Sequence, residues 1–545
     1  MKRLIHIIFL TALLAFSVQG LHASAGLVML SGKVFTGDPA KPFAEAVAIS
    51  GDRIIAVGTN KEVESFAGPT TRRIDLQGRV VVPGFNDAHF HFMPDRPGFH
   101  LQFKTQEPSW GETLEALKDA VQKTPKGEWI FGLIGISVLS DNSADRFALD
   151  RVAPQNPVLL RSYYGHGYII NSMAMSPLKL AEDEPDPVGG YFERAGDSKR
   201  INGRLWEYAE WKPNRILVAQ VSDEQAIAEL KGLADEAVRF GITSMQIMPS
   251  MPVDRFVKLL IKANLPIRVR AMPFAPSSPK GRDLSEFEMI SELIFPNPKV
   301  KASGIKWILD GTPLERGAAL RQPYNDLPGW RGKLNFPEAE IAQMIRESLG
   351  FKQQILFHCA GDKTAEAVFD AMDQVGGGKI DWPRKRLRIE HGDGIDSDLV
   401  GRAKRLGVIV VQNPSHFSLV DIIYARYSPN TKFFASRSLV EAGIPVAIGS
   451  DGPLNPFLNI MFAVINPARP AEALTREQAV GAYTEGSAYA EFAETEKGSL
   501  RKGKLADLAV LSQDIFNVPA SELPNTHSIF TIVDGKIVYD AQALK

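Results

Sequence analysis

Two of the chain's ten histidines, His89 and His91, stand one residue apart in "VVPGFNDAHFHF", residues 81–92, just after a Pro-Gly corner. In a strand, residues i and i+2 face the same side, so both imidazoles would aim at one spot. A half-buried strand whose histidines satisfy each other would give the same pattern, so the rest of the chain has to decide. Lys306 in "GIKWILDG", His358 in "QILFHCAG", His391 in "LRIEHGD" and Asp451 in "PVAIGSDGP" all lie near the C-terminal ends of apolar runs. Imidazole nitrogen and carboxylate oxygen suit zinc and related divalent ions, and a set this rich could hold one ion or two. Lys306 needs a separate account, because a protonated ammonium has no lone pair to give.

Such residues work only if their elements converge. Eight apolar runs of strand length can be read: "GFNDAHFHF", "GITSMQIM", "IRVRAMPF", "GIKWILDG", "QILFHCAG", "LRIEHGD", "GVIVVQNPS" and "PVAIGSDGP". Helical patterns such as "EAEIAQMIRESLG" and "KTAEAVFDAMDQVG" fall between several of them. Alternating strands and helices predict an α/β fold with a parallel sheet, and eight such units predict a closed (β/α)8 TIM-like barrel over residues 83–495. In that fold the strand C-termini and their loops hold the active site, which is where the six candidate ligands fall. Residues 93–240 are too long for one loop and carry their own patterns, so they read as an insertion over the barrel mouth. The alternating β-rich ends, residues 26–82 and 496–545, are expected to pair into one small composite β-sandwich.

At 545 residues, 44% hydrophobic and 23% charged, the composition is globular. A net charge of -1 offers no basic face for nucleic acid or an anionic membrane. Residues 1–25 follow the signal-peptide plan: Lys2 and Arg3, an apolar run from Leu4 to Phe16, and the small residues Ala23-Ser24-Ala25. The run is shorter than the about 20 residues that span a bilayer, so export to the periplasm or medium is expected, with no membrane attachment after cleavage. Cleavage is expected after Ala25, with Gly20 as second choice. The single cysteine, Cys359, excludes an intramolecular disulfide. Beside His358 on a strand, its side chain should face the other way, as a small buried hydrophobe.

The constellation resembles the amidohydrolase superfamily, in its amidohydrolase-3 (YtcJ-like) branch, which includes N-substituted formamide deformylase. "PGFNDAHFHF" is similar to the branch's Pro-Gly-Phe-x-Asp-x-His-x-His opening, and "GIKWILDGTPLERGAAL" to its Lys and Asp-Gly signature. "HCAGD", "RIEHGD", "IGSDGPLNP" and "GKLADLAVL" match further pieces in the family's order, and "GHGYIINSMAM" resembles a segment that places a histidine, here His166, near substrate.

The resemblance implies a metal-dependent hydrolase of carbon–nitrogen bonds other than peptide bonds, acting on a small amide-type molecule such as an N-substituted amide or formamide. It implies His89, His91, Lys306, His358, His391 and Asp451 as ligands of one or two zinc-like ions, with Lys306 carboxylated. Asp451 would move the proton, and His391 or His166 would polarise the carbonyl. A homodimer is also allowed. Asp310, four residues after Lys306, is expected to orient that lysine or touch substrate. His166 and His416 could each be loop histidines or substrate-binding groups. Arg161, Tyr163 and Tyr164 would give the mouth a polar, partly aromatic wall, or pack the cap. The same chemistry would attack lactones or other esters, the first alternative. A catalytically inactive ligand-binding barrel is the second, disfavoured because all six ligand positions are filled.

Overall fold

The computed structural model describes residues 24–427 and 432–544. The expected leader, residues 1–23, lies outside them. The first strand starts at Ala25, whose N–H bonds the Phe66 carbonyl at 2.8 Å, so cleavage after Ala25 would remove a paired residue.

Eight parallel strands form the barrel: Phe85–Phe92, Ile242–Pro249, Arg268–Ala271, Ile305–Ile308, Ile355–Cys359, Arg388–His391, Ile409–Gln412 and Val446–Ile448, numbered here as strands 1 to 8. They are nearly continuous buried runs, as a sheet covered by helices requires. Strands 1 to 3 pair parallel, with two register shifts between strands 1 and 2, and strands 4 to 8 pair parallel without a shift. Two seams join these sheets. Lys306 N–H bonds the Pro273 carbonyl at 2.9 Å beside a parallel bridge between Phe274 and Lys306. At the other seam, Asp451 N–H bonds the His89 carbonyl at 2.9 Å and Ser450 N–H bonds Asp87 Oδ1 at 2.9 Å. A Cβ on Gly449 would lie 2.4 Å from the His89 backbone nitrogen, so glycine is what lets strand 8 close against strand 1.

The chain ends interleave. Val80–Pro83 pairs antiparallel with Leu508–Leu511, placing Val81 opposite Val510 in a six-stranded sheet. That sheet packs on a four-stranded one, burying Leu27, Met29 and Ile49 against Leu508, Phe530 and Ile532.

After strand 1, six strands from Phe99–His100 to Ile201–Glu207 build a separate sheet. Its apolar residues alternate, Phe131, Leu159 and Ile170 in one core and Ile130, Leu160 and Ile169 in another, so both faces are covered. The insertion ends before the expected residue 240. Helix Asp223–Arg239 is capped by Ser222, which accepts from Gln225 N–H at 3.1 Å. Its stripe of Ala226, Leu230, Ala234 and Ala237 lies in the barrel core with Phe256 and Leu260, which makes it a barrel helix.

Candidate metal centre

At the C-terminal end of strand 1 the two imidazoles meet as the spacing predicts: His89 Nε2 and His91 Nε2 are 3.2 Å apart. His89 is fully buried, and its Nδ1 lies 2.6 Å from Glu390 Oε2. Glu390 is itself held by Arg388 Nε at 2.8 Å and Nη2 at 3.1 Å. Burial works to raise the Glu390 carboxyl, but the fields of Arg388 and Lys306 and the His89 bond outweigh it and keep it ionised. An ionised carboxylate can only accept, so Nδ1 carries the proton and the lone pair of Nε2 points into the gap. Asp451 Oδ1 faces the same gap, 3.3 Å from His91 Nε2 and 3.7 Å from His89 Nε2.

His391 joins by a backbone device. On a regular strand, Glu390 facing His89 would send His391 to the opposite side. His391 instead has φ 69°, in the left-handed region, and its Nδ1 lies 3.9 Å from Asp451 Oδ2. Asp451 also has positive φ, 40°. Ligand atoms of His89, His391 and Asp451 fall within 4.8 Å of one another. Burial holds His89, His358 and His391 below the ordinary imidazole range, which keeps them neutral and able to donate lone pairs. For Asp451, burial acts upward, but His89, His91, His416 and Lys306 together hold the carboxyl well below its usual range.

The remaining expected ligands flank this set. The His358 ring centre is 4.5 Å from that of His391, while its Nε2 turns toward the Gly311 carbonyl at 3.4 Å. Lys306 is buried in the wall, and its Nζ has no hydrogen-bond partner among the described residues. Burial pushes its pKa down to about 8. His416 Nε2 lies 3.8 Å from Asp451 Oδ2, which places this histidine at the site. Cys359 is in the hydrophobic core, where burial raises its thiol.

Asp310 corrects the expectation placed on it. Its carboxylate neither pairs with Lys306 nor lines the cavity. It accepts from Ala319 N–H at 3.2 Å, Ala360 N–H at 3.1 Å, Gly361 N–H at 2.8 Å and the Thr364 hydroxyl at 2.6 Å. The loop after strand 4 folds back over the end of strand 5, and Asp310 ties the two together.

His166 stands on the far side of His358, ring centres 5.0 Å apart, and comes from the inserted sheet. Its Nδ1 is 2.9 Å from Glu207 Oε1, leaving Nε2 for the cavity it lines. Burial pulls its pKa down, but Glu207, Glu315 and Glu210 more than compensate and lift it to about 10. His91, His166, Lys306, His358, His391, His416 and Asp451 open on one cavity of about 600 Å³, walled also by Phe90, Trp211, Phe274, Leu314 and Phe462. Arg161, Tyr163 and Tyr164 line it too, at the mouth rather than in the cap's cores. Glu207 carries no motif and was invisible in sequence. Glu390 stands in view within "RIEHGD".

The lone pairs of His89 and His391 and the charge of Asp451 converge on one gap, a donor set that fits a divalent cation. Residues 72–539 match the family model described as "Amidohydrolase family". The chain is an amidohydrolase. This amidohydrolase is 26% identical to N-substituted formamide deformylase of Arthrobacter pascens, over 94% of its own length and 98% of that protein. It is 27% identical to the putative amidohydrolase YtcJ of Bacillus subtilis, over 91% and 96%. In fold it is similar to the crystal structure of an uncharacterized metal-dependent hydrolase from Pyrococcus horikoshii, with TM-score 0.68 and 20% identity, covering 91% of this chain and 99% of that one.

Proposed function

We propose that this amidohydrolase hydrolyses the carbon–nitrogen bond of an N-substituted amide or formamide, with one or two divalent ions, zinc by their donor set, held by His89, His91, Lys306, His358, His391 and Asp451. The observation that carries this reading is the gap itself: His89 Nε2 and Asp451 Oδ1, both acceptors, face each other at 3.7 Å. The names of the two relatives support the bond type. When bound, such an ion supplies Lewis acidity and lowers the pKa of water toward neutrality.

The chain's own residues supply the rest. Asp451, ionised and partly open to the cavity, takes the proton from the attacking water and returns it to the leaving nitrogen. His166, kept protonated by its carboxylates, offers Nε2–H to the carbonyl oxygen as charge develops there. The apolar wall excludes bulk water around both groups. Lys306 is proposed to be carboxylated, on the ground of its buried, unpartnered Nζ. Export is proposed from residues 1–25 and is read by N-terminal sequencing of protein recovered from its host; an intact Met1 would refute it.

Metal-loaded protein should cleave N-formyl and N-acyl amines in preference to matched esters. Asp451→Asn should keep most of its metal and lose about two to four orders of magnitude in turnover. Esterase activity without amidase activity, or near-normal turnover in Asp451→Asn, would refute the assignment.

A further inference from the structure

Two guanidinium groups converge beside the metal centre with no carboxylate between them. Arg96, just past strand 1, is 7% exposed. It donates from Nη2 to Asn214 Oδ1 and, at 3.2 Å, to Met93 Sδ, while its buried Nε has no partner among the described residues. Arg161, on inserted strand Val158–Ser162, donates from Nη1 to the same Met93 Sδ, also at 3.2 Å. Among the described residues no carboxylate oxygen lies within 4.0 Å of either guanidinium.

A thioether is a weak acceptor, and two like charges sharing one gain little from it. Arg96 is a buried charge, and buried charges are ordinarily paired, so its arrangement is incomplete on its own. The faces of Phe131 and Tyr168, 5.8 and 6.0 Å from the Arg96 guanidinium, contribute only cation–π attraction. Glu210 senses Arg161, but burial drives that carboxyl toward its neutral form and it is engaged with Gly167 N–H. Paired guanidinium forks match the two oxygens of a carboxylate.

Met93 and Arg161 line both the main cavity and a neighbouring one of about 330 Å³, whose walls include Arg96 and Phe131. Arg161 and Met93 therefore sit where the two chambers meet, with Arg96 on the side of the second chamber. Arg161, His91 and Asp451 line the same chamber, so a molecule with its amide at His91 and Asp451 would share that chamber with the Arg161 guanidinium.

We propose that Arg96 and Arg161 bind an oxyanion carried by the substrate, a carboxylate in the smallest case. Resting on the amide-hydrolysis reading above, this makes the preferred substrates N-formyl or N-acyl amino acids rather than neutral amides. The test compares N-benzylformamide with N-formylphenylglycine, which adds one carboxylate to the same skeleton. The wild type should favour the acid in kcat/KM by at least about tenfold. Arg161→Gln should bring that ratio close to one, and Arg161→Lys should restore part of it, charge without the fork. Arg161 is only half-buried, so these variants should fold. In parallel, phenylacetate is titrated calorimetrically into the metal-loaded proteins, and Arg161→Gln should weaken its binding at least about tenfold. If neither amide is cleaved while phenylacetate binding still depends on Arg161, the hydrolysis reading fails and the anion site stands. A wild-type ratio at or below one, or equal phenylacetate affinity in Arg161→Gln, overturns the proposal.

Discussion

Lys306 is an amine with nowhere to place its proton. Its Nζ is buried without an acceptor, among His89, His358, His391 and Asp451, and an ammonium there would repel a cation held by them. Asp310, four residues on and expected to orient the lysine, supplies no acceptor, because its oxygens are taken by three backbone N–H groups and a hydroxyl. The neutral amine, which burial favours, can react with carbon dioxide, forming an N–C bond and releasing one proton. The carbamate that results has two oxygens and a negative charge, able to bridge two ions. Metal analysis should then give about two ions per chain. Lys306→Ala should lose metal and activity together, and a short carboxylic acid in bicarbonate-free buffer should restore part of both. One ion per chain, retained in Lys306→Ala, would remove Lys306 from the ligand set.

At the scale of elements, the eight apolar runs were legible because a barrel strand covered on both sides is simply a short hydrophobic segment. Ligand side was legible wherever strand alternation holds, as at His89 and His91. It was not legible where the backbone reverses: the positive φ at His391 lets consecutive residues, Glu390 and His391, both serve the site. Helix Asp223–Arg239 was assigned to the insertion because its boundary has no breaker that marks a change of layer, only the buried stripe that the fold reveals. Asp310 departs from its expected place for a related reason. Four residues along a strand predicts a shared face, but the strand ends at Ile308 and the chain has already turned. Its role is a clasp between two loops of the mouth. Asp310→Asn would set an amide NH2 against N–H donors and leave at least one buried donor unpaired. That should cost about 2 to 4 kcal/mol in denaturant unfolding at saturating metal. Unchanged stability in that variant would show that the clasp is redundant.

For the whole molecule, the consequence of interleaved ends is that the composite sandwich cannot form from either end alone. Val80–Pro83 has Leu508–Leu511 on one side and Lys33–Phe35 on the other, so the last 50 residues complete a sheet begun by the first. Phe530 tests this coupling. It is 2% exposed, pairs with Val510 and Asp540, and shares a core with Leu27, Met29 and Val81. Phe530→Ala removes a buried ring from a core assembled from sequence-distant pieces, and should cost about 3 to 5 kcal/mol. The distribution of that loss carries the stronger prediction. If the two ends form one cooperative unit, hydrogen exchange should accelerate together at residues 27–30, 80–83 and 508–511, and the barrel strands should stay protected longer. Acceleration confined to residues 528–540 would mean that the C-terminal hairpin frays by itself and that the N-terminal strands hold their fold without it.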